Sequence, residues 1–265
     1  MKQTRGKHYH RGKRKKRSSL LTTIILAVAV IVFCVSAFQL FRIGKGYYDG
    51  RSEYDEIRSL AVENAEKAEE FRVNFDELLN RNPDTVGWLR FYPEPAVISY
   101  PLVQGPDNEL YLTKTFSAND NNLGAIFLNV SNSANFIDRN SVIYGHRMKD
   151  GSMFRALEEY KDQGFYESNP YFYIYTKDGR KLTYHIYSVG EVEADSETYQ
   201  TFFASDEVYQ FFLNMTKENA MYDTGLTPTV EDTLVTLSTC TKASDEHRLV
   251  VRGMKVKEEV VGNDD

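Results

Sequence analysis

The chain has 265 residues, 42% hydrophobic and 26% charged, which excludes a polytopic membrane protein, a collagen-like chain and a wholly disordered one. The charge is uneven: residues 1–45 hold 11 Lys and Arg and no acidic residue, so the other 220 residues, with 21 basic and 38 acidic side chains, carry −17. A phosphate backbone repels so acidic a part of the chain, which argues against nucleic-acid binding.

A membrane anchor is predicted near the N-terminus. The first 17 residues contain nine Lys and Arg, and residues 20–41 then run for 22 positions without a charge. A helix of that length spans about 33 Å, enough for a hydrocarbon core of about 30 Å. Because basic flanks stay inside, we expect a cytoplasmic tail (1–19), an anchor (20–41) and an extracellular remainder. A nucleic-acid-binding basic run and a cleaved signal peptide, suggested by Val35-Ser36-Ala37, are the alternatives.

The first exterior segment, residues 42–80, is predicted to be helical from residue 47 on. Helical spacing relates six mostly apolar residues, with Glu and Arg on the other face: Ile57, Leu60, Ala61, Asn64, Ala65 and Ala68. Asn74 is a candidate cap for a second helix through Leu79, with acidic residues in its first turn. Asn82-Pro83-Asp84 then ends the helix. The apolar face suggests that this segment packs on the domain, although a stalk remains the alternative.

From Val86 on, the pattern predicts strands. Short apolar runs place them at 86–91, 96–103, 125–129, 141–145, 171–175, 181–189, 233–240 and 248–256. Lys177-Asp178-Gly179-Arg180 predicts a hairpin turn, and short helices are predicted at Gly151–Tyr160 and from Ser205 to about Tyr222. We therefore expect one mainly β (α+β) domain at 81–257, a barrel or sandwich of seven or eight strands with peripheral helices, followed by an acidic tail at 258–265.

The candidate chemistry centres on Cys240. Cys34 lies in the apolar segment, so no internal disulfide is expected, and Cys240 is either a small buried hydrophobe or a reactive thiol. A reactive thiol needs a base nearby. His146 ends an apolar strand, as Cys240 does, and makes the better partner. His185 lies in the middle of a strand, which is typical of a structural side chain, and His247 begins the last strand.

Several motifs carry a resemblance to a known family. Thr236-Leu237-Ser238-Thr239-Cys240, followed by Arg248-Leu249-Val250-Val251, resembles the signature of the sortases, which are membrane-anchored cysteine transpeptidases of Gram-positive bacteria. Class B sortases are also similar at Tyr100-Pro101-Leu102-Val103-Gln104-Gly105, at Asp107-Asn108-Glu109-Leu110-Tyr111-Leu112 and at Val142-Ile143-Tyr144-Gly145-His146-Arg147-Met148. The resemblance covers about residues 75–256. It implies a closed seven- or eight-stranded sortase-type β-barrel with N-terminal helices and a helix before the penultimate strand.

The resemblance implies roles for six residues. Cys240 would be the nucleophile that forms a thioester, His146 the general acid and base, and Arg248 the group that stabilises the oxyanion or the substrate. Asn108, Leu112 and Ser238 resemble substrate-groove residues, although a turn Asn, a core Leu and a strand Ser remain open. An ion pair with Asp245 or Glu246 is the alternative for Arg248. No cofactor is implied.

The implied partners are surface proteins with a C-terminal sorting signal of the Asn-Pro-x-Thr-x type, a peptidoglycan amine as acceptor, and the lipid bilayer. Alternatives are a plain cysteine peptidase, an anchored binding domain and a pilin-polymerising sortase. The last is suggested by His247-Arg248-Leu249 with Arg252-Gly253, which is similar to class C, although Glu258–Asp265 could not form the second membrane segment common there.

Two further features of the sequence are the turn at residues 92–95 and a run of acidic residues at 191–197. Tyr92-Pro93-Glu94-Pro95 stands where the family more usually has a turn with glycine. The acidic residues Glu191, Glu193, Asp195 and Glu197 could bind Ca²⁺, but a solvated loop is the preferred interpretation, and no metal site is predicted.

Overall fold

The computed structural model describes residues 17–64, 70–240 and 246–261, with side chains from residue 20 on except that of Cys240. Parts of four predictions lie outside the described residues: the basic tail before Arg17, the helix positions Ala65 and Ala68, the ion-pair candidate Asp245, and the acidic tail after Val261. The chain divides into two compact units between Lys45 and Gly46.

A long helix, α1 (Arg17–Ala61), begins the described chain. Its side chains from Leu20 to Phe41 are exposed, and its most apolar window has a mean hydropathy of 2.8. By length and composition this helix could cross a membrane, although a signal sequence has the same character. It is compatible with the predicted anchor at 20–41, whose orientation stays a prediction.

The predicted helix over 47–80 is interrupted, so that prediction was wrong in its middle. After α1 come β1 (Val62–Glu63), β2 (Arg72–Val73), which pairs antiparallel with β1, and α2 (Phe75–Arg81). Phe71 supplies the reason, because it is 1% exposed and its ring packs 4.8 Å from that of Tyr175. Burying a Phe side chain is worth about 1.5–3 kcal/mol, whereas helix propensities of ordinary residues differ by less than about 1 kcal/mol.

The two helical parts otherwise behave as expected. Tyr54, Ile57 and Ala61 are buried, so the end of α1 packs on the domain and is not a free stalk. Asn74 caps α2, because its side-chain oxygen accepts a hydrogen bond from the Glu77 amide at 3.1 Å. The cap satisfies one of the amides that a helix start leaves without a partner.

Eight strands form a closed barrel, as predicted. They are β3 (Thr85–Phe91), β4 (Ser99–Val103), β5 (Ile126–Leu128), β6 (Asn140–Tyr144), β7 (Tyr171–Thr176), β8 (Arg180–Glu193), β9 (Leu234–Cys240) and β10 (His247–Val260). Their order around the barrel is β10-β8-β7-β3-β4-β5-β6-β9, and β9 closes it by pairing with β10. The β4–β5 and β6–β9 pairs are parallel, and the others are antiparallel.

Strands β8 and β10 are longer than predicted. They pair with each other from His247–Glu193 to Val260–Arg180, 14 residues each, so β10 runs into the predicted acidic tail. The far end of this ribbon is polar, and Arg180 there bonds to Glu258 at 3.1 Å. Cross-strand charge pairs stabilise such a ribbon. Its sequence, however, lacks the alternation of apolar and polar residues by which a strand is recognised.

Helical elements surround the barrel. A 3₁₀ helix spans Phe154–Lys161, where an α-helix was predicted at 151–160. The short helix α3 (Gln163–Ser168) follows it and was not predicted. The helix before the penultimate strand is α4 (Asp206–Glu218), capped by Ser205 as predicted but four residues shorter than expected. The predicted hairpin joins β7 to β8, with Gly179 at a φ of +78°.

Candidate active site

Two parallel strands bring His146 and Cys240 to the same end of the barrel. Tyr144 on β6 pairs with Ser238 on β9, and the Gly145 amide donates to the Ser238 carbonyl at 3.1 Å. His146 and Cys240 each follow two residues beyond that pair. Since neighbouring strands lie about 4.8 Å apart, the two backbones end side by side. The Cys240 side chain lies outside the described residues.

Arg248 is placed by the next strand. Its Cα pairs directly with that of Cys240 in the antiparallel β9–β10 ladder, and a directly opposed pair has its Cα atoms about 4.5–5.5 Å apart. The Arg248 guanidinium is half-buried and donates to the His247 carbonyl at 3.2 Å. The alternative ion pair with Glu246 or Asp245 stays untested.

A groove of about 410 Å³ opens at this end of the barrel. Its lining includes five of the six predicted site residues: Asn108, Leu112, His146, Ser238 and Arg248. The other lining residues are Phe127, Tyr144, Gly145, Ala194, Asp195, Ser196, Tyr199 and Thr239. A concave site with a mixed polar and apolar lining suits an extended peptide with apolar and polar side chains.

The His146 ring is held in one tautomer. Its Nε2 lies 2.7 Å from the Leu112 carbonyl oxygen, which can only accept, so Nε2 carries the proton. Nδ1 is therefore the ring nitrogen left to exchange protons with a reacting group. Gly145 gives the strand its close packing, because a Cβ there would lie 2.5 Å from Ile126 Cδ1 and 2.7 Å from Phe154 Cδ2.

Gly124 packs against the same edge of this histidine ring as the Leu112 carbonyl. Its φ is +64°, and a Cβ there would lie 2.8 Å from His146 Cδ2, 2.8 Å from the Tyr111 carbonyl oxygen and 3.0 Å from the Leu112 carbonyl oxygen. Gly124→Ala is expected to lower kcat/KM by about 10²-fold, because a shift of about 1 Å in a catalytic group can cost that much. The left-handed backbone adds about 1–2 kcal/mol of destabilisation. Kinetics on a sorting-signal peptide and melting curves measure the two effects.

Gly179→Ala is the matched control for that substitution. Gly179 has a φ of +78°, but a Cβ there would meet only Val261 O, at 3.5 Å. It should lose only the part of the stability that comes from the left-handed backbone, about 1–2 kcal/mol, and keep its activity. Activity losses of equal size in the two variants would show that the Gly124 effect is not exerted through His146.

The candidate substrate residues differ in their surroundings. Asn108 is half-buried, and its side-chain oxygen accepts from the Val130 amide at 2.8 Å, so its turn position is fixed by a hydrogen bond. Leu112 is 38% exposed and is therefore not a core leucine. Ser238 is buried, and its Oγ shares a hydrogen bond of 2.9 Å with the Tyr199 hydroxyl.

Sequence reasoning missed two tyrosines of the groove, Tyr144 and Tyr199. Their rings lie 5.9 Å apart, and burial raises the pKa of each above the ordinary value, so both hydroxyls keep their protons at neutral pH. Tyr144 lies in the motif that contains His146, directly before Gly145, and this position could have marked it as a candidate for the groove. Tyr199 lies in the connection after β8, and no spacing in the sequence relates it to Ser238.

The structure gives surroundings for two further candidates, His185 and Glu191. The His185 ring packs in a tilted arrangement against that of Tyr171, with centroids 4.5 Å apart, and burial lowers the pKa of His185, which fits the predicted structural role. Glu191 is exposed and pairs with Lys161 at 2.6 Å. Within the described part of the chain, no group of three or more His, Cys, Asp or Glu side chains is arranged to hold a metal ion.

Comparisons with known proteins agree with this geometry. The family model of the sortase domain matches residues 96–256. Sortase B of Staphylococcus aureus is 30% identical over 247 residues, covering 92% of this chain and 99% of that protein. The structure of B. anthracis sortase B in complex with AAEK1 is 34% identical with a TM-score of 0.71, covering 81% of this chain and 100% of that one. The Staphylococcus aureus sortase B–substrate complex is 32% identical with a TM-score of 0.64, covering 69% and 84%.

Proposed function

This chain belongs to the sortase family as a class B cysteine transpeptidase, and on that premise we propose that it cuts an Asn-Pro-x-Thr-x sorting signal in surface proteins and transfers the acyl part to a peptidoglycan amine. The observation that carries the proposal is the groove in which His146 and Arg248 lie beside the end of the Cys240 strand. The similar structure from Staphylococcus aureus, a sortase B–substrate complex, supports a substrate-binding role for this fold.

The first half of the reaction forms a thioester. The Cys240 thiol gives its proton to His146 Nδ1, and the sulfur attacks the carbonyl carbon of the signal's Thr. The tetrahedral oxyanion collapses, the C–N bond breaks, and His146 returns the proton to the leaving amine. The N-terminal part of the substrate then remains on the sulfur of Cys240 as an acyl group.

The second half repeats the chemistry with a different amine. The acceptor amine attacks the thioester carbonyl and loses a proton to His146, and collapse of the second tetrahedral species releases the Cys240 sulfur, which regains its proton. Arg248, always charged and with a rigid set of donors, stabilises the oxyanion in both halves. Fixed Nε2–H donation to Leu112 keeps the histidine ring oriented for both transfers.

Substrate binding falls to the groove wall. Asn108, Leu112 and Ser238 lie along it, and they offer an amide, an apolar surface and a hydroxyl to the signal peptide. Leu112 is 38% exposed, which gives the groove an apolar surface for an apolar side chain of the peptide. Ser238, together with Tyr199, offers a hydroxyl pair close to the scissile bond.

The proposed topology places the barrel outside the cell. Residues 1–19 are the cytoplasmic tail, 20–41 the anchor, 42–80 the helical segment and 81–257 the catalytic barrel. The apolar helix and the basic residues before it support this orientation. Protease added to intact cells tests it, because an extracellular barrel is digested and a cytoplasmic one is protected.

The test of the reaction is mass spectrometry of Cys240 after incubation with Asn-Pro-x-Thr-x peptides, followed by product analysis with and without an added amine. We expect an acyl adduct on Cys240 and an amide product only with the amine. Hydrolysis unaffected by the amine would support a plain peptidase, and selective use of a pilin lysine would support pilin polymerisation. A thiol that forms no adduct and reacts with no substrate would support a binding domain.

A further inference from the structure

We propose that the end of helix α1 is part of the catalytic apparatus: Glu53 and Tyr54 are positioning residues that hold the loop 110–125 against His146. This inference rests on the proposed function in one respect, the role of His146 as acid and base. It assigns a task to the end of α1, which lies outside the barrel and follows the predicted membrane anchor in the same helix.

Tyr54 reaches the loop at its far end. Its side chain is 4% exposed, its hydroxyl donates to the Gly124 carbonyl at 2.8 Å, and the same oxygen accepts from the Phe116 amide at 3.2 Å. Burial and the neighbouring Glu53 carboxylate raise the pKa of Tyr54 well above its ordinary value, so the donated proton is retained. One hydroxyl thus ties together two points of the loop that lie eight residues apart.

Glu53 holds the tip of the same loop. One carboxylate oxygen accepts from the Ser117 amide at 2.9 Å, and the other accepts from the Thr115 hydroxyl at 2.9 Å and the Asn119 side-chain amide at 3.1 Å. Asn121 adds a bond from its side-chain amide to the Gly46 carbonyl at 2.9 Å. Hydrogen bonds to a charged carboxylate are stronger than those between neutral groups, so the helix fixes this part of the loop firmly.

The loop in turn sets the position of the histidine. The Leu112 carbonyl accepts from His146 Nε2, and Gly124 lies so close to the ring that even a methyl group would collide with it. Tyr54 bonds to Gly124 itself, so a single residue separates the helix from the imidazole. The start of the loop has a separate support, because Asn82 bonds to the Phe116 carbonyl and to the Tyr111 hydroxyl. Loss of the helix contacts should therefore loosen the Gly124 side more than the whole loop.

Tyr54→Phe tests the inference in the full-length protein in detergent. It keeps the ring and removes the hydroxyl, leaving the Gly124 carbonyl and the Phe116 amide without this partner. We expect kcat to fall about tenfold, equivalent to about 1.4 kcal/mol, while KM changes by less than about threefold, since the groove wall remains. The direct readout is ¹⁵N NMR of the imidazole, assigned with a His146→Gln variant. The His146 signals should change from one Nε2–H tautomer to an average of two.

Tyr209→Phe is the matched control. Tyr209 is also fully buried, and its hydroxyl shares its one proton between the Arg139 and Asp232 carbonyl oxygens, each 2.8 Å away, beside the end of β6 opposite to His146. It should lose comparable stability with unchanged His146 signals and kcat. The inference is overturned if Tyr54→Phe leaves the His146 signals unchanged, or if Tyr209→Phe alters them as much.

The outcome is separable from that of the proposed function. Should His146→Gln retain wild-type transfer, the catalytic role of His146 would be wrong, whatever Tyr54 does. The NMR comparison would still decide whether Glu53 and Tyr54 position the ring. Glu53→Gln, which removes the charge and one acceptor oxygen, provides a second perturbation, and it should shift the His146 signals in the same direction as Tyr54→Phe.

Discussion

Cys240→Ala is expected to abolish both cleavage and transfer while the barrel stays folded. Without the sulfur no thioester can form, so no alternative route through this site remains. The stability cost should be about 1 kcal/mol, because one small side chain replaces another. Steady-state kinetics, mass spectrometry for the acyl adduct and a melting curve measure the three quantities together.

Cys34→Ala is the matched control for that loss. Cys34 lies in α1 with an exposed side chain, within the predicted anchor, and its replacement should leave turnover and adduct formation at wild-type levels. Turnover near wild type in Cys240→Ala would refute the nucleophile assignment. A loss of activity in both variants would point to a general effect of removing cysteines.

Arg248→Lys is expected to lower kcat/KM about 10²-fold, which corresponds to about 2.7 kcal/mol of transition-state stabilisation. Lysine keeps the positive charge but loses the planar set of donors that can direct two hydrogen bonds at an oxyanion or a substrate carbonyl. If Arg248 only raised the local potential, lysine would be nearly as good. A fluorogenic sorting-signal peptide measures the rate, and melting curves recorded alongside show whether folding is affected.

Arg180→Lys is the matched control for Arg248→Lys. It shows what the loss of a guanidinium does at a position away from the groove. Arg180 pairs with Asp178 and Glu258 at the far end of the β8–β10 ribbon, so its replacement should change stability slightly and the rate hardly at all. If Arg248 only forms an ion pair, Arg248→Lys should likewise leave the rate almost unchanged, with at most about 1 kcal/mol of stability lost. Activity of Arg248→Lys within about threefold of wild type would remove the directional role.

The barrel could be predicted strand by strand because its buried strands carry continuous apolar runs. All eight runs correspond to observed strands, and the Asn74 and Ser205 caps lie where the sequence placed them. Two predictions were wrong for the same reason: the unbroken helix over 47–80 and the lengths of β8 and β10. The extended backbone around Phe71 and the polar ends of β8 and β10 are stabilised by contacts with partners distant in sequence, such as Tyr175 and Glu258.

The motifs predicted candidate members of the site but not its geometry. Five of the six residues that they suggest line one groove, and the roles of all six stay predictions. Tyr199 was missed because its link to Ser238 joins positions 39 residues apart, and no local pattern marks such a pair.

Local sequence pattern was enough to predict the apolar N-terminal helix and the strands of the barrel, because hydrophobicity and charge are properties of the residue types themselves. It also named candidates for cysteine chemistry, whose roles stay predictions. The order of strands around the barrel, the tautomer of His146 and the attachment of loop 110–125 to Tyr54 depend on the tertiary structure. Each is decided by hydrogen bonds or packing between segments that meet only when the chain has folded, such as the bond from Tyr54 to Gly124, 70 residues along the chain.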